Sequence, residues 1–179
     1  ISNNESKTAA GLLTNLNEVY NNSIYSISKY EGKWKVVGQN SKVYDNNDFQ
    51  LIPGQGYIVK ASRDIDISIV GQPVKFESSA DNANITLFEG WNLIGMYGTN
   101  VKQYTAKSLI QGINASNNPK FTANNVTNWE SDVQRYDGFQ LDVENGVEIE
   151  YGFDFPIKFL QGYFVRVTEG QGNWQPELR

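Results

Sequence analysis

The side chains of this chain that could act on a substrate are almost all carboxylates. Histidine and cysteine are both absent, which removes imidazole bases, thiolate nucleophiles and the usual zinc, copper and iron–sulfur ligands. Acidic residues crowd one stretch: Asp132, Asp137, Asp142, Glu144, Glu148, Glu150 and Asp154. A glycoside hydrolase needs two such groups facing one cleft at a set separation, one of them with a raised pKa. Acidic residues on the wet face of half-buried strands are far commoner, so no enzyme activity is expected. Asp45-Asn46-Asn47-Asp48 has the oxygen-rich makeup of a calcium loop but not the EF-hand order. A solvated Asn/Asp turn is the simpler reading; no cofactor is expected, with calcium the one metal worth testing. Gly54-Gln55-Gly56 has neither the further glycines nor the following helix of a phosphate loop.

The aromatic residues offer a second chemistry. Trp34, Trp129 and Trp174, with Tyr30 and Tyr136, could form a flat platform on which sugar rings stack. Trp129 and Trp174 sit among Asn and Gln and are the expected exposed members, hence the candidate glycan contacts. Trp91, in Gly90-Trp91-Asn92-Leu93-Ile94-Gly95, is expected to be mostly buried. The competing reading is that hairpin aromatics simply pair across strands. Asn-x-Ser/Thr sequons at Asn4, Asn21, Asn84, Asn114 and Asn125 would carry glycans in a secreted protein.

At 179 residues the chain can hold one large or two small domains. Aromatic residues make up 13% of it while the mean hydropathy is -0.49, which suits a β-rich soluble protein and argues against disorder. A net charge of -5 would repel nucleic acid and anionic lipid. No apolar run approaches the ~20 residues that span a bilayer, so no membrane insertion is expected. Ile1 opens a polar segment resembling neither a signal peptide nor a start, as in a piece of something larger.

The elements that must position these residues come in two series. Asp48-Phe49-Gln50-Leu51-Ile52-Pro53-Gly54-Gln55-Gly56-Tyr57-Ile58-Val59-Lys60 returns as Asp154-Phe155-Pro156-Ile157-Lys158-Phe159-Leu160-Gln161-Gly162-Tyr163-Phe164-Val165-Arg166. Each copy reads as a strand, a bend needing glycine, and a second strand. Thr8 predicts a capped helix through Tyr20, and Thr105 a shorter one through Ile113. Ser23–Tyr30 and Lys33–Val37 predict a hairpin turned at Glu31-Gly32, with Tyr136-Asp137-Gly138-Phe139 as its later counterpart. Ile65, Ile67 and Ile69 alternate as in a half-buried strand, and short strands are expected near Val74–Phe76 and Ile85–Phe88. Asn114–Asn128 reads as an Asn-rich loop that takes up the length difference between the copies.

Gly90-Trp91-Asn92-Leu93-Ile94, the second helix, the Tyr136-Asp137-Gly138 segment and Gln161-Gly162-Tyr163-Phe164-Val165 together resemble a repeat module of prokaryotic secreted, surface-layer and adhesin-like proteins. The resemblance implies a mainly β fold with short helices, arranged as two tandem related modules. Each would be a small antiparallel sheet assembly with one packed helix, spanning residues 1–73 and 74–179 and joined through 71–75. It further implies an extracellular or cell-surface location and a non-catalytic role as a structural or interaction module, with protein partners, a second copy of the chain among them. The alternative is a carbohydrate- or surface-binding module. Two departures stand out. Leu160 replaces the glycine at Gly54, and the first module has no Gly-Trp-Asn-Leu strand of its own. Either that strand has been removed ahead of Ile1, or the module is completed by residues 74–94 or by a strand from a neighbouring chain, in which case chains of this type would assemble by lending strands.

Overall fold

The computed structural model describes residues 7–42, 46–68, 76, 84–115 and 121–179. The chain runs α1 (Ala9–Val19), β1 (Ile24–Tyr30), β2 (Trp34–Gly38), β3 (Ile58–Ala61), β4 (Ile85–Leu87), β5 (Gly90–Gly95), α2 (Ala106–Asn114), β6 (Thr122–Glu130), β7 (Arg135–Glu144), β8 (Val147–Gly152), β9 (Gly162–Glu169) and β10 (Gly172–Trp174). Three antiparallel sheets result, ordered β2-β1-β3, β5-β9-β6-β7-β8 and β10-β4. The fold is mainly β with two short helices.

Both helices start on a threonine that satisfies N–H groups left without intrahelical partners. The Thr8 hydroxyl accepts from the Gly11 N–H at 3.2 Å. Thr105 accepts from the Ser108 N–H, and the Ser108 hydroxyl accepts in return from the Thr105 N–H at 2.8 Å, closing a capping box. Helix α1 buries Ala9, Ala10, Leu13 and Leu16 against Ile24, Ile27, Val37 and Phe49. Helix α2 buries Ala106, Leu109, Ile110 and Ile113 in a larger core with Val126, Phe139, Leu141, Tyr163, Val165 and Val167.

The same local contacts occur around each helix. Ala9 N–H donates to the Phe49 carbonyl at 2.8 Å, and Ala106 N–H to that of Phe155 at 2.9 Å. Asp48 accepts from the Ala10 N–H and Asp154 from the Lys107 N–H, at 2.9 and 2.8 Å. Asn17 bonds both backbone groups of Ile24, as Asn114 does those of Ala123. Tyr57 stacks on Phe49 and Tyr163 on Phe155, with centroids 6.0 and 6.1 Å apart. Their hydroxyls each accept at 2.7 Å from a backbone N–H five residues earlier, that of Ile52 and that of Lys158.

Strand β5 is where the two sheets meet. One edge pairs along its whole length with β9, from Gly90 opposite Val167 to Gly95 opposite Gly162. The other edge meets Glu31 and the 54–56 bend: Gly56 N–H donates to the Leu93 carbonyl, and Gly95 N–H to that of Gly54, both at 3.0 Å. The 71–75 junction lies outside the described residues. Among those described, this shared strand links the first sheet to the second.

Five local expectations change. The stretches that enter the two bends, 48–53 and 154–158, are not strands and hold single bridges, Gln50 to Thr8 and Pro156 to Thr105. Asn114–Asn128 is not a loop throughout, because Thr122–Glu130 forms β6, the centre of the five-stranded sheet. Asparagine is a poor strand former in isolation, but pairing on both sides overrides that preference. The amides find partners as well: Asn124 donates to Asp142 at 3.0 Å, and Asn128 accepts from Gln161 at 2.6 Å. Asp137-Gly138 lies inside β7, and the turn falls at 131–134. Ile65 and Ile67 pack on the first core without forming a strand; Ile69 and the Val74–Lys75 stretch are outside the described residues. Finally, Leu160 keeps the bend, adopting φ 64° where Gly54 has 84°.

Candidate functional site

Two hairpins and two strands bring aromatic rings to one place. Tyr30 and Trp34 are the pair that closes the β1–β2 hairpin, with ring centroids 5.2 Å apart. Trp129 and Tyr136 face each other across β6 and β7, 4.7 Å apart. Phe164 lies on β9 between Leu93 of β5 and Thr127 of β6. Side chains alternate along a strand, so Tyr163, Val165 and Val167 enter the core below α2 while Phe164 emerges on the opposite face. Trp91, across from Arg166, emerges there too.

These rings enclose an open cleft of about 380 Å³ lined by Tyr30, Trp34, Trp91, Thr127, Tyr136 and Phe164. Phe164 is its centre, with Tyr30, Trp34, Trp91 and Tyr136 at 6.2, 6.1, 6.5 and 5.9 Å, inclined to it by 69°, 76°, 87° and 74°. The edge-to-face arrangement is the one ring quadrupoles favour. It makes a walled cleft in place of the expected flat platform. Among the described residues the lining carries no carboxylate and no amine; its polar groups are two phenols, two indole N–H groups and the Thr127 hydroxyl, which donates to Asn125 at 2.8 Å. Such a surface can stack against an apolar ring face and hydrogen-bond at its edge, and it offers no general acid–base pair. The buried Lys29 ammonium, over the Phe49 ring, lies 2.6 Å from Glu31. That hydrogen bond is the main reason the Glu31 carboxyl is held below its ordinary value, with Lys35 adding to the effect.

The candidate glycan contacts separate. Trp129 is partly exposed and packs on Tyr136 at the cleft's rim. Trp174 was expected to be exposed and is instead 1% exposed. It pairs with Ile85 through β10 and β4, and its ring lies 5.5 Å from that of Tyr104 in the main core. Its polar neighbours misled because alternate residues of one strand face opposite ways. Trp91 errs in the other direction, at 40% exposed, since Asn92 and Ile94 take the core side of β5. Phe164 was not singled out from the sequence, yet adjacent aromatics in a strand, Tyr163-Phe164, must place one ring on each face.

Several of the carboxylates are engaged in ion pairs or a helix cap. Glu148 and Glu150 hold Lys107 at 3.2 and 2.5 Å. Gln111 first and Lys107 second hold the Glu148 carboxyl below its usual range. Asp137 pairs with Arg135 at 3.0 Å, and Asp154 caps α2. Among the described residues no three acidic side chains gather as metal ligands; Asp45 of the calcium-like loop lies outside them, and Asp48 accepts from Ala10 and Phe49 N–H groups. Of the sequons, Asn21 and Asn84 are exposed, Asn114 is engaged with Ala123, Asn125 lies on β6, and Asn4 is outside the described residues. No helix among the described residues is long and apolar enough to cross a membrane.

Comparison with protein-family models, with curated proteins and with solved structures finds no match for this chain.

Proposed function

We propose that the chain is a non-catalytic interaction module of a secreted or cell-surface protein, and that the aromatic cleft is its binding site, with a sugar ring as the ligand class. The observation that carries this is the cleft itself: five rings around about 380 Å³ of open space, Trp34 and Trp91 remaining 47% and 40% exposed. A soluble chain rarely leaves contiguous aromatic surface bare unless something binds there. Tryptophan and tyrosine at a walled opening suit a ring that has one apolar face and hydroxyls at its edge.

The reading includes two related sheet-and-helix units. It is supported by the matched helix caps, asparagine clamps and tyrosine–phenylalanine stacks, and by the sequence recurrence around Gly56 and Gly162. The location rests on the resemblance to prokaryotic surface modules and, weakly, on exposed sequons. The acidic net charge of -5 argues against nucleic acid as partner.

Titration with soluble neutral polysaccharides, followed by tryptophan fluorescence, tests the ligand class. The signal should change saturably and vanish in Trp34→Ala and Trp91→Ala variants that melt normally. An unchanged signal across a panel of chemically different glycans would overturn it. A second reading is a building unit of a surface layer or filament, in which this face packs on a neighbouring protein. The continuation of exposed apolar surface to Val36 and Trp129 favours it. Light scattering that shows concentration-dependent assembly, lost in Trp34→Ala, would select this reading.

A further inference from the structure

Strand β9 lies between two partners, β5 and β6. Strand β3 occupies the same surroundings in the other sheet: it follows a bend at Gly54 as β9 follows one at Leu160, and Tyr57 and Tyr163 share their stacking and hydrogen bonds. Yet among the described residues β3 pairs only with β1. The consequence appears in burial. On the core side of β9, Tyr163, Val165 and Val167 are 1%, 0% and 1% exposed; on β3, Val59 is 40% exposed and Tyr57 and Ala61 are only partly covered. The cover over β9 includes the core-facing row of β5, Asn92 and Ile94, opposite Val165 and Tyr163. β5 itself has no free edge to lend at that level, since it bonds β9 on one side and Glu31 and the 54–56 bend on the other.

We infer that the outer edge of β3 is a docking site for an antiparallel strand of the Gly-Trp-Asn-Leu-Ile-Gly type, supplied by another module of this kind. The occupant is fixed by the chain's own precedent. The backbone ladder of Ile58–Ala61 takes an extended segment, the incoming isoleucine covers Tyr57 and the asparagine lies over Val59. Lys60 shares the outer face with Ser26, its partner on β1, and so does not stand in the row that is to be covered. Of the other edge strands among the described residues, β8 is a poorer acceptor because Glu148 and Glu150 are committed to Lys107 and charges beside an edge discourage pairing. This inference rests on the reading of two related units, and not on the cleft.

The test is a synthetic peptide with the sequence of residues 89–97, added to the whole chain, with hydrogen exchange read at those amides of Ile58–Ala61 that point away from β1. Binding should slow exchange of those amides by tenfold or more, and a scrambled peptide of equal composition should not. A Val59→Asp variant should lose the effect, with Val59→Ser in its place if the aspartate variant does not fold. Unchanged exchange, equal protection by the scrambled peptide, or full protection of these amides in the free chain would each overturn the inference. Because the readout lies on β3, a chain that binds no glycan can still take the strand, and the two failures are distinguishable.

Discussion

Gly56 lies so close to Ile94 that a methyl group on its Cα would sit 2.7 Å from the Ile94 carbonyl oxygen and 2.8 Å from the Leu93 side chain. The contact forms the seam between the first sheet and β5, and both nearest atoms belong to a strand fixed on its far side by β9. Neither side can yield without breaking the 3.0 Å bond from the Gly56 N–H to the Leu93 carbonyl. Gly56→Ala should therefore cost about 2–3 kcal/mol and lower the melting temperature by about 5–10 °C. Calorimetry checks it, and a neutral result would mean that the seam is compliant.

Leu160 adopts the left-handed conformation, at φ 64°, with its side chain 79% exposed. A side chain in that region costs about 1–2 kcal/mol, while glycine's greater freedom in the unfolded chain offsets about 0.5–1 kcal/mol. Leu160→Gly is expected to stabilise by about 0.5–1 kcal/mol, visible as a higher denaturation midpoint with unchanged slope. At Gly54, φ 84°, an added Cβ would stand 3.0 Å from both Ile85 and Tyr97, so Gly54→Ala should destabilise.

The phenols of Tyr57 and Tyr163 are pushed up from their ordinary value of 10.0, chiefly by burial. An acid whose folded pKa is raised contributes stability that is complete below its unfolded value and is lost as pH rises through the folded one. Stability should thus hold to about pH 10 and fall above it. Tyr163→Phe should cost about 1–3 kcal/mol at neutral pH by stranding the Lys158 N–H, and flatten the alkaline decline. Tyr57→Phe should cost less, because the Ile52 N–H it leaves is exposed. Melts between pH 7 and 11 measure both.

Glu31 titrates in the opposite sense. Its folded pKa is lowered from 4.5, first by the hydrogen bond from Lys29. The stability this confers is present above the unfolded value and lost as pH falls through the folded one. The carboxylate is 39% exposed, so screening keeps the ion pair's contribution to about 1 kcal/mol or less. Glu31→Gln should lower the melting temperature at pH 7 and converge on the parent near pH 2, which a series of acid melts would record.

The helices, the first hairpin and the paired bends were legible because their signals are local: a capping threonine, a glycine turn, an apolar period. The second hairpin was misplaced because Tyr136-Asp137-Gly138 looks like a turn in isolation and becomes strand only when β6 pairs with it, β8 joining from Phe139 onward. The candidate site was half legible. Tyr30, Trp34, Trp129 and Tyr136 were recognised as potential partners, whereas Trp91 and Trp174 exchanged their expected exposures.

The sequence by itself determined that the chain builds antiparallel sheets with two capped helices, since period, caps and turn residues act within a few positions. It also determined that adjacent residues such as Tyr163 and Phe164 must part to opposite faces. Which face is wet depends on where α2 lies and on which strand lies alongside. Only the tertiary structure could decide that Trp174 closes the core, that Trp91 joins Phe164 at an open cleft, and that β5 serves two sheets at once. Burial and strand pairing are set by contacts between residues far apart in the chain, and no local pattern encodes them.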